Sequence, residues 1–351
     1  MYGIISDTHC HNWSQFSSIN EDGVNSRLRF ILNEIERAAD MVAQSGGKTL
    51  FHAGDLFHVR GYIAPSVLNP TMETFERILR KGITPIILCG NHDAEFRETN
   101  DLGSAIGALR SLGCKVFNEP SVFETDIGPV VGIPWIRNNE EFLKVVGEYA
   151  KKAGGKADLI CHVALNGVFG YLDGSVCVNP DDVFKVGDGN IRRIFAGHLH
   201  NHKEISPDVY SIGAIAQHNW GDSASKAGFM LVGEDKAEFI ESTAPKFVTL
   251  TGAETSTDEM SANIRGNYVR ANLELDEAEV KKFRKLLTDN GALGITLIAD
   301  AKPEPNLKRM EIQTTESLET IVARYIEKNL PPHEVEAVKQ EALSILSEVE
   351  L

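Results

Sequence analysis

Five short motifs that carry aspartate, asparagine or histidine lie far apart in the chain, and each follows an apolar run typical of a β-strand. The motifs are Asp7-Thr8-His9, Gly54-Asp55, Gly90-Asn91-His92-Asp93, His162 and Gly197-His198-Leu199-His200. In an open α/β sheet the ligand crevice lies beyond the carboxyl ends of the strands, so side chains distant in sequence can converge there. The motifs therefore predict an α/β fold whose strand ends share one polar site.

The apolar runs themselves support this fold class. Runs rich in Ile, Leu and Val, typical of strands covered on both faces, lie at residues 2–6, 49–53, 84–89 and 159–162. Apolar spacings of three and four predict helices between the first of these runs, at residues 27–44 and 71–81. Strand alternating with helix predicts layers of helices on a sheet.

The chain has 351 residues, which is long for a single core, so we expect one large domain with additions. Short alternating runs at residues 209–215, 228–232 and 237–242 predict an antiparallel meander that closes a first domain, 1–250. A polar linker at 251–263 then leads to a small α+β domain at 264–310. The chain ends in helices at 316–351, which Pro331-Pro332 interrupts.

Composition limits the setting of the protein. The formal net charge of -15 would repel a polyanion at long range, although two bound divalent cations would add positive charge at one point. The five cysteines form no Cys-x-x-Cys pair, which argues against disulfides or a thiolate zinc site and favours the reducing cytoplasm. No apolar run approaches the roughly 20 residues of a membrane span, and Met1 directly precedes the first strand, so we expect neither a membrane segment nor a signal peptide.

Seven side chains in the motifs are candidate metal ligands: Asp7, His9, Asp55, Asn91, His162, His198 and His200. A mixed nitrogen and oxygen set without sulfur suits Mn, Fe, Zn or Mg. Seven ligands exceed the needs of one ion, and two ions bridged by a carboxylate can stabilise both the attacking and the leaving oxygen of a phosphoryl displacement. Asp55 is the candidate bridge. We expect His11, His52, His202 and His218 to have ordinary polar roles.

The order D-x-H, G-D, G-N-H-D, H and G-H-x-H resembles that of the calcineurin-like metallophosphoesterases over residues 1–245. The resemblance implies a layered α/β/α sandwich with a small α+β capping domain and C-terminal helices. Three further segments are similar to the SbcD-type DNA-repair nucleases and the recombination endonucleases of bacteriophages. They are Gly54-Asp55-Leu56-Phe57-His58, Tyr210-Ser211-Ile212-Gly213 running into Gln217, and Pro245-Lys246-Phe247.

The resemblance implies a role for each site residue. It assigns Asp7, His9, Asp55 and His200 to a first ion and Asp55, Asn91, His162 and His198 to a second, commonly manganese, with magnesium possible. His92 is then the acid that contacts the scissile phosphate and protonates the leaving oxygen, and His58 positions the phosphate for exonuclease action. We infer that Asp93 orients the His92 ring, because such side chains need an outer partner.

These expectations together describe a metal-dependent DNA nuclease, an endonuclease or exonuclease in which hydroxide generated at a binuclear site attacks a phosphodiester in line. By resemblance it is the nuclease subunit of a recombination or repair complex in the cytoplasm, or in the host cytoplasm if it comes from a bacteriophage. It is expected to form a homodimer and to bind an SMC-like ATPase through its C-terminal helices. An apolar seam in the last helix, which is either packed on its own body or the docking surface, comprises Val335, Val338, Ala342, Ile345 and Val349.

Two alternatives stay open at this point. The same site can hydrolyse a phosphoprotein, a nucleotide or a small phosphoester, although protein phosphatases of the superfamily carry Asp-Arg-Gly after Gly-Asp and Glu after Asn-His. This chain has His58-Val59-Arg60 and Asp93 there. The second alternative is a non-enzymatic scaffold that loads the ATPase onto DNA. The presence of His92 argues against it, because a structural metal needs no acid beside it.

Overall fold

A computed structural model describes residues 1–95, 104–169, 177–250, 257–273, 277–299 and 318–348. These residues form three sheets and eight α-helices. The strands are β1 (Tyr2–Ile5), β2 (Thr49–His52), β3 (Thr84–Leu88), β4 (Lys115–Phe117), β5 (Ser121–Thr125), β6 (Gly128–Ile133), β7 (Ala157–His162), β8 (Ile191–Gly197), β9 (Lys203–Ser206), β10 (Val209–Ser211), β11 (Gly228–Val232), β12 (Ala237–Glu241), β13 (Phe247–Leu250), β14 (Tyr268–Leu273) and β15 (Gly294–Ala299). The helices are α1 (Ser26–Gln44), α2 (Pro65–Arg80), α3 (Asn139–Lys152), α4 (Pro180–Gly187), α5 (Thr257–Ile264), α6 (Glu277–Asp289), α7 (Leu318–Asn329) and α8 (Pro332–Glu348).

Two six-stranded sheets position the site. The first has the strand order β12-β11-β1-β2-β3-β4, and the second has the order β5-β6-β7-β8-β10-β9. The strands β1 to β4 pair in parallel, and so do β6, β7 and β8. Since parallel strands end at the same edge of a sheet, each sheet collects the residues that follow its central strands at one edge.

A core of large apolar side chains lies between the two sheets. Ile4 and Phe51 from the first sheet and Ile160 and Phe195 from the second belong to one buried cluster. Successive residues of a strand point to opposite faces. Ile5, next to Ile4, accordingly belongs to a different core that faces helices. Both faces of the central strands are therefore covered, as their apolar sequences predict.

Helices cover the outer faces of the two sheets. Leu28 and Ile35 of α1 and Phe75 of α2 are buried in the core beside the first sheet, while Phe142 of α3 and Val183 of α4 are buried beside the second. The predicted layered α/β class is thus confirmed, with two sheets in its β layer. Helix α2 begins six residues before its predicted start, because a proline is well tolerated in the first turn, where the missing N–H has no helical acceptor.

The antiparallel meander predicted after β8 was wrong in part. Of the three predicted strands, β11 and β12 pair antiparallel in the first sheet, where β11 also pairs antiparallel with β1. The strand β10 instead pairs in parallel with β8 in the second sheet. An alternating pattern predicts a strand but does not specify its partner, which tertiary packing decides. In the predicted linker, residues 257–264 form helix α5, and residues 251–256 lie outside the described ranges.

A buried charge cluster joins the two sheets at the end of β7 remote from His162. The Asp158 carboxylate accepts hydrogen bonds from Tyr2, Arg192 and Arg193, with Oδ2 at 2.5, 2.8 and 2.7 Å from their donor atoms. Burial alone would raise the pKa of Asp158, but the hydrogen bonds from the two arginines lower it below its ordinary value. Tyr2 belongs to the first sheet and Asp158 to the second, so the cluster ties one to the other.

The remaining strands form a third sheet, β13-β14-β15, with a small core that includes Val269 and Leu287. By internal contacts the chain divides into two compact units, 1–298 and 299–351. Helices α7 and α8 contact each other within the second unit. The domain boundaries expected at 1–250, 264–310 and 316–351 stay a prediction. Among the described residues, no helix is both long and apolar enough to cross a membrane.

Candidate metal centre

The carboxyl ends of five central strands bring the seven predicted ligands together. Asp7 and His9 follow β1, Asp55 follows β2, Asn91 follows β3, His162 ends β7, and His198 and His200 follow β8. The two sheets meet here, since Nδ1 of His162 lies 2.8 Å from the carbonyl oxygen of Ala53. Gly54 allows this close approach, because a Cβ atom there would lie 2.4 Å from Nδ1 of His162.

One group of donors consists of Asp7, His9 and His200. One ligand atom from each lies within 4.8 Å of the others. Nε2 of His9 is 3.1 Å from Nε2 of His200, and Oδ2 of Asp7 accepts a hydrogen bond of 2.6 Å from the hydroxyl of Ser6. Three donors of this kind, turned toward one point, suit a divalent cation.

A second group consists of Asp55, His162 and His198, again within 4.8 Å of one another. Asn91 belongs beside them, because its Oδ1 lies 3.0 Å from Nε2 of His162 and 2.8 Å from Nδ1 of His198. An amide oxygen and two imidazoles around a buried carboxylate again match the preference of a divalent metal for nitrogen and oxygen donors.

Asp55 stands between the two groups. Its Oδ2 lies 3.7 Å from Nε2 of His9 and 3.4 Å from Nε2 of His162. Its other oxygen, Oδ1, accepts a hydrogen bond of 2.7 Å from the backbone N–H of His92. A single carboxylate therefore faces both clusters and also holds the backbone of the candidate acid.

The backbone is strained at the candidate ligands. Six non-glycine residues in the described ranges have a positive φ, and four of them are predicted ligands, namely Asp7 (47°), His9 (43°), Asp55 (60°) and His198 (93°). Such conformations cost about 1 to 3 kcal/mol each and persist where the surrounding structure requires them. The fold bears this cost at the convergence point, which is typical of a functional site.

The buried carboxylates dominate the electrostatics. Burial alone would raise the pKa of Asp55, but the neighbouring His162 lowers it well below its ordinary value. Burial would lower the pKa of His162, yet Asp55 and Asp7 raise it to about 9. Burial and the charge of His162 lower the pKa of His198 to about 3. The centre thus carries negative charge that requires buried positive charge, and its donor set fits two divalent cations.

His92 lies beside the centre with a fixed ring. Its Nδ1 is 2.7 Å from the carbonyl oxygen of His58. Since a carbonyl can only accept, this contact puts the proton on Nδ1 and leaves Nε2 to exchange a proton with a ligand. The ring is half-buried and lies 4.9 Å from the ring of His9, which places it at the edge of the first group.

His58 is also half-buried and borders the same group. Its Nδ1 lies 3.4 Å from Nδ1 of His9, and its ring stacks on that of His92 at 5.6 Å with an interplanar angle of 12°. Trp13 lies on another side, at 4.7 Å between ring centroids. His58 is therefore within reach of a substrate bound at the centre.

Asp93 is placed differently from the expectation that it orients the His92 ring. It is fully buried, and its carboxylate accepts the backbone N–H groups of Asp55, Leu56, Phe57 and Gly90 at 2.8 to 3.2 Å. The ring contact of His92 goes to the carbonyl of His58 instead. Asp93 thus acts on the loop that carries Asp55.

Two residues behind the first group were not predicted as part of the site. The Asp222 carboxylate lies 3.1 Å from Nδ1 of His200 and accepts the backbone N–H of His218 at 2.8 Å. Nε2 of His218 in turn donates to the carbonyl oxygen of Asp7, 2.9 Å away. A carboxylate behind a ligating histidine fixes its ring and raises its basicity. The four-residue spacing of His218 and Asp222 was the only sequence signal, and it is too common to be informative.

The sequence comparisons agree with the site. Residues 2–202 match the calcineurin-like phosphoesterase family, and the chain belongs to that family. The chain is also 24% identical over 214 residues to exonuclease subunit 1 of Enterobacteria phage T4. That alignment covers 60% of this chain and 60% of the relative, so the chain spans only part of the relative's length.

Two solved structures share low similarity with the chain. A dimetal phosphatase from Danio rerio is 10% identical, with a TM-score of 0.40, and the alignment covers 69% of this chain and 98% of that one. The nuclease MPE from Pseudomonas putida is 16% identical, with a TM-score of 0.29, and the alignment covers 68% of this chain and 87% of that one. The family assignment accordingly depends on the sequence match.

Proposed function

We propose that this chain is a metal-dependent DNA nuclease that hydrolyses phosphodiesters and works as the nuclease subunit of a recombination or repair complex. The observation that carries the proposal is the Asp55 carboxylate, which faces two histidine clusters and also holds the backbone of His92. Membership of a phosphoesterase family supports the hydrolysis. The choice of DNA as substrate is supported by the phage relative, which is named an exonuclease subunit.

The ligand assignment follows the two groups. We propose that Asp7, His9, Asp55 and His200 hold one divalent ion and that Asp55, Asn91, His162 and His198 hold the other, with Mn2+ preferred and Mg2+ as the alternative. Two such cations would neutralise the phosphate and activate water as a nucleophile. They would also offset the net charge of -15 where the DNA backbone must approach.

His92 is the proposed general acid. Its Nδ1 is engaged by the carbonyl of His58, so Nε2 is the atom that can donate a proton to the departing sugar oxygen. General acid catalysis contributes about 10²- to 10⁴-fold. His58, which borders the same group, would orient the phosphate for exonuclease action. Asp93 is assigned a supporting role through the Asp55 loop.

Assembly is proposed on the same basis. As a subunit of such a complex the chain would form a homodimer in the cytoplasm and bind an SMC-like ATPase through α7 and α8. Val338 on α8 is 40% exposed, which is compatible with a docking seam. The side chain of Ile345 and all of Val349 lie outside the described part of the chain. Val338→Glu should weaken binding to the purified ATPase, and unchanged binding would contradict docking through this seam.

The test of the activity uses purified protein with Mn2+, Mg2+ or EDTA on an end-labelled DNA duplex and a DNA hairpin. We expect cleavage with Mn2+, none with EDTA, and strongly reduced cleavage by His92→Asn. Turnover of bis-p-nitrophenyl phosphate and of p-nitrophenyl phosphate is measured in parallel. Efficient hydrolysis of the monoester without cleavage of DNA would reject the nuclease in favour of a phosphatase, and no hydrolysis under any condition would favour a scaffold.

A further inference from the structure

A groove with a volume of about 500 Å³ lies beside the candidate metal centre. It is formed by the segment between β6 and α3 and reaches His198, and its lining includes Trp135, Arg137 and Glu140. The strand β6 is parallel to β7, so its carboxyl end reaches the same edge of the second sheet. The carboxyl end of β6 contributes none of the seven predicted ligands. It is followed by Trp135, whose indole lies near the centre.

Trp135 lines the groove, and its backbone is anchored to the opposite sheet. Its backbone N–H donates to the carbonyl oxygen of Cys89, 2.9 Å away, which anchors it to the end of β3 in the other sheet. Its ring lies 4.9 Å from the ring of His198 with an interplanar angle of 32°. The indole is half-buried and also lines the groove. A fixed aromatic surface therefore continues outward from the second ligand group.

The charged groups of the groove are Arg137 and Glu140. Both are exposed. Within the described residues Arg137 makes no hydrogen bond or ion pair, so its guanidinium is available to a ligand. The volume lies within the range of about 300 to 1,000 Å³ typical of small-ligand sites. An aromatic platform next to an arginine, at the edge of a phosphoesterase centre, matches the base and the phosphate of one nucleotide.

We propose that this groove binds one unpaired nucleotide next to the scissile phosphate, with its base stacked on Trp135 and its phosphate on Arg137. The proposal deepens the proposed nuclease function and rests on it. Because an aromatic ring can cover only a base whose face is free, the strand that enters the groove must be single-stranded or frayed. The negative charge of Glu140 repels phosphate, so the nucleic-acid backbone lies closer to Arg137.

The test compares variants built on His92→Asn, which slows cleavage, by the binding of a labelled single-stranded oligonucleotide with Mn2+ at several salt concentrations. Trp135→Leu should weaken binding by about 5- to 150-fold, the range of one base stacked on an aromatic side chain. Trp135→Phe should restore most of it. Arg137→Gln should reduce the slope of log K against log salt by about 0.7, as expected for one phosphate contact on a single strand.

Two matched variants sharpen the result. Lys151→Gln removes one positive charge from the exposed last turn of helix α3, whose first turn holds Glu140, and it should leave the salt slope unchanged. Glu140→Gln should strengthen binding. If Lys151→Gln and Arg137→Gln change the slope equally, or if Trp135→Leu binds as well as its parent, the proposed subsite is wrong.

Trp135 also contacts His198, a candidate metal ligand. A disturbed metal centre must therefore be distinguished from the loss of base stacking. In the otherwise unchanged chain, kcat/KM is measured for the oligonucleotide and for bis-p-nitrophenyl phosphate, which has neither a nucleobase nor a second phosphate. We expect Trp135→Leu to reduce the first at least about five times more than the second. Equal reductions would overturn the proposal. If the wild-type protein cleaves DNA and Trp135→Leu cleaves it equally well, the nucleotide subsite is rejected but the nuclease is not. Stacking-dependent binding without any cleavage would reject the nuclease but not the groove.

Discussion

Replacing Asp93 with asparagine tests whether its carboxylate holds the loop that carries Asp55. The carboxylate is fully buried. Oδ2 accepts the backbone N–H groups of Asp55, Leu56 and Gly90 at 2.8, 3.2 and 2.9 Å, and Oδ1 accepts that of Phe57 at 3.0 Å. An asparagine has only one such oxygen, so Asp93→Asn removes an acceptor while the shape of the side chain is kept.

The size of the effect follows from these donors. In its better orientation the amide oxygen keeps the three donors of Oδ2, and the amide nitrogen faces the N–H of Phe57. One buried N–H then loses its acceptor, at about 1 to 3 kcal/mol, and three bonds lose the strengthening by charge. Burial and the charge of Asp55 raise the pKa of Asp93 to about 7, which means that its buried charge is itself unfavourable. Removing that charge therefore offsets part of the lost stability. We expect the free energy of unfolding to fall by about 2 to 4 kcal/mol near pH 8.

The assay is urea unfolding with EDTA, followed by far-UV circular dichroism, together with Mn2+ titration calorimetry on the folded protein. Asp235→Asn, in the exposed turn between β11 and β12, is the control and should change stability by less than about 0.5 kcal/mol. Mn2+ binding should weaken in Asp93→Asn, because Asp55 shifts with its loop.

A decrease in stability below about 1 kcal/mol, with unchanged Mn2+ affinity, would refute this reasoning. If the stability were unchanged and only the pH profile of kcat moved, Asp93 would act on the His92 ring, as the sequence suggested. The unfolding curve, the Mn2+ titration and the pH profile of kcat together distinguish the two roles.

Asp158→Asn leaves buried guanidinium charge unpaired and should lower the free energy of unfolding in urea by about 3 to 5 kcal/mol. Because the folded-state pKa of Asp158 is lowered, its contribution is present above the unfolded pKa of about 4 and is lost as the pH falls through the folded pKa, so wild type and variant should converge in acid. Asp222→Ala frees the ring of His200 and should weaken one Mn2+ site by about 10- to 100-fold in calorimetry, whereas two unchanged sites would contradict the support role. His92→Asn should retain two Mn2+ ions per chain by elemental analysis and slow DNA cleavage by about 10²- to 10⁴-fold. Its effect on the bis-nitrophenyl ester should be smaller, because nitrophenolate leaves without a proton, and equal losses would argue against an acid. Removal of metal with EDTA should lower the Tm, since Mn2+ at about 100 times its Kd stabilises the fold by about 2.7 kcal/mol.

The sequence predicted much of the candidate centre because its residues follow strands directly. Asp55, Asn91 and His162 each stand at the end of a short apolar run, and a run of that kind predicts both the strand and the edge at which it stops. Family membership and the convergence of the seven side chains agree with this reasoning. Their assignment to individual ions stays a prediction.

The supporting residues could not be predicted in the same way. Asp222 ends a short 3₁₀ helix, and its spacing to His200 has no periodic meaning. Asp93 was assigned to its sequence neighbour His92. The structure gives its carboxylate to backbone N–H groups of another loop instead. Trp135 had no motif to mark it, because its place depends on a hydrogen bond to the opposite sheet.

The sequence by itself determined the strands that carry the metal-binding motifs, the two helices between the first of them, and where the polar groups follow the strands, since apolar periodicity and turn residues are local properties. Only the tertiary structure decided that the strands divide into two sheets, that β10 joins β8, and that Asp55 faces both histidine clusters. These features depend on which surfaces bury each other, and the energy of that burial belongs to pairs of segments far apart in the chain. A local sequence pattern therefore does not specify which distant segments will pack against each other.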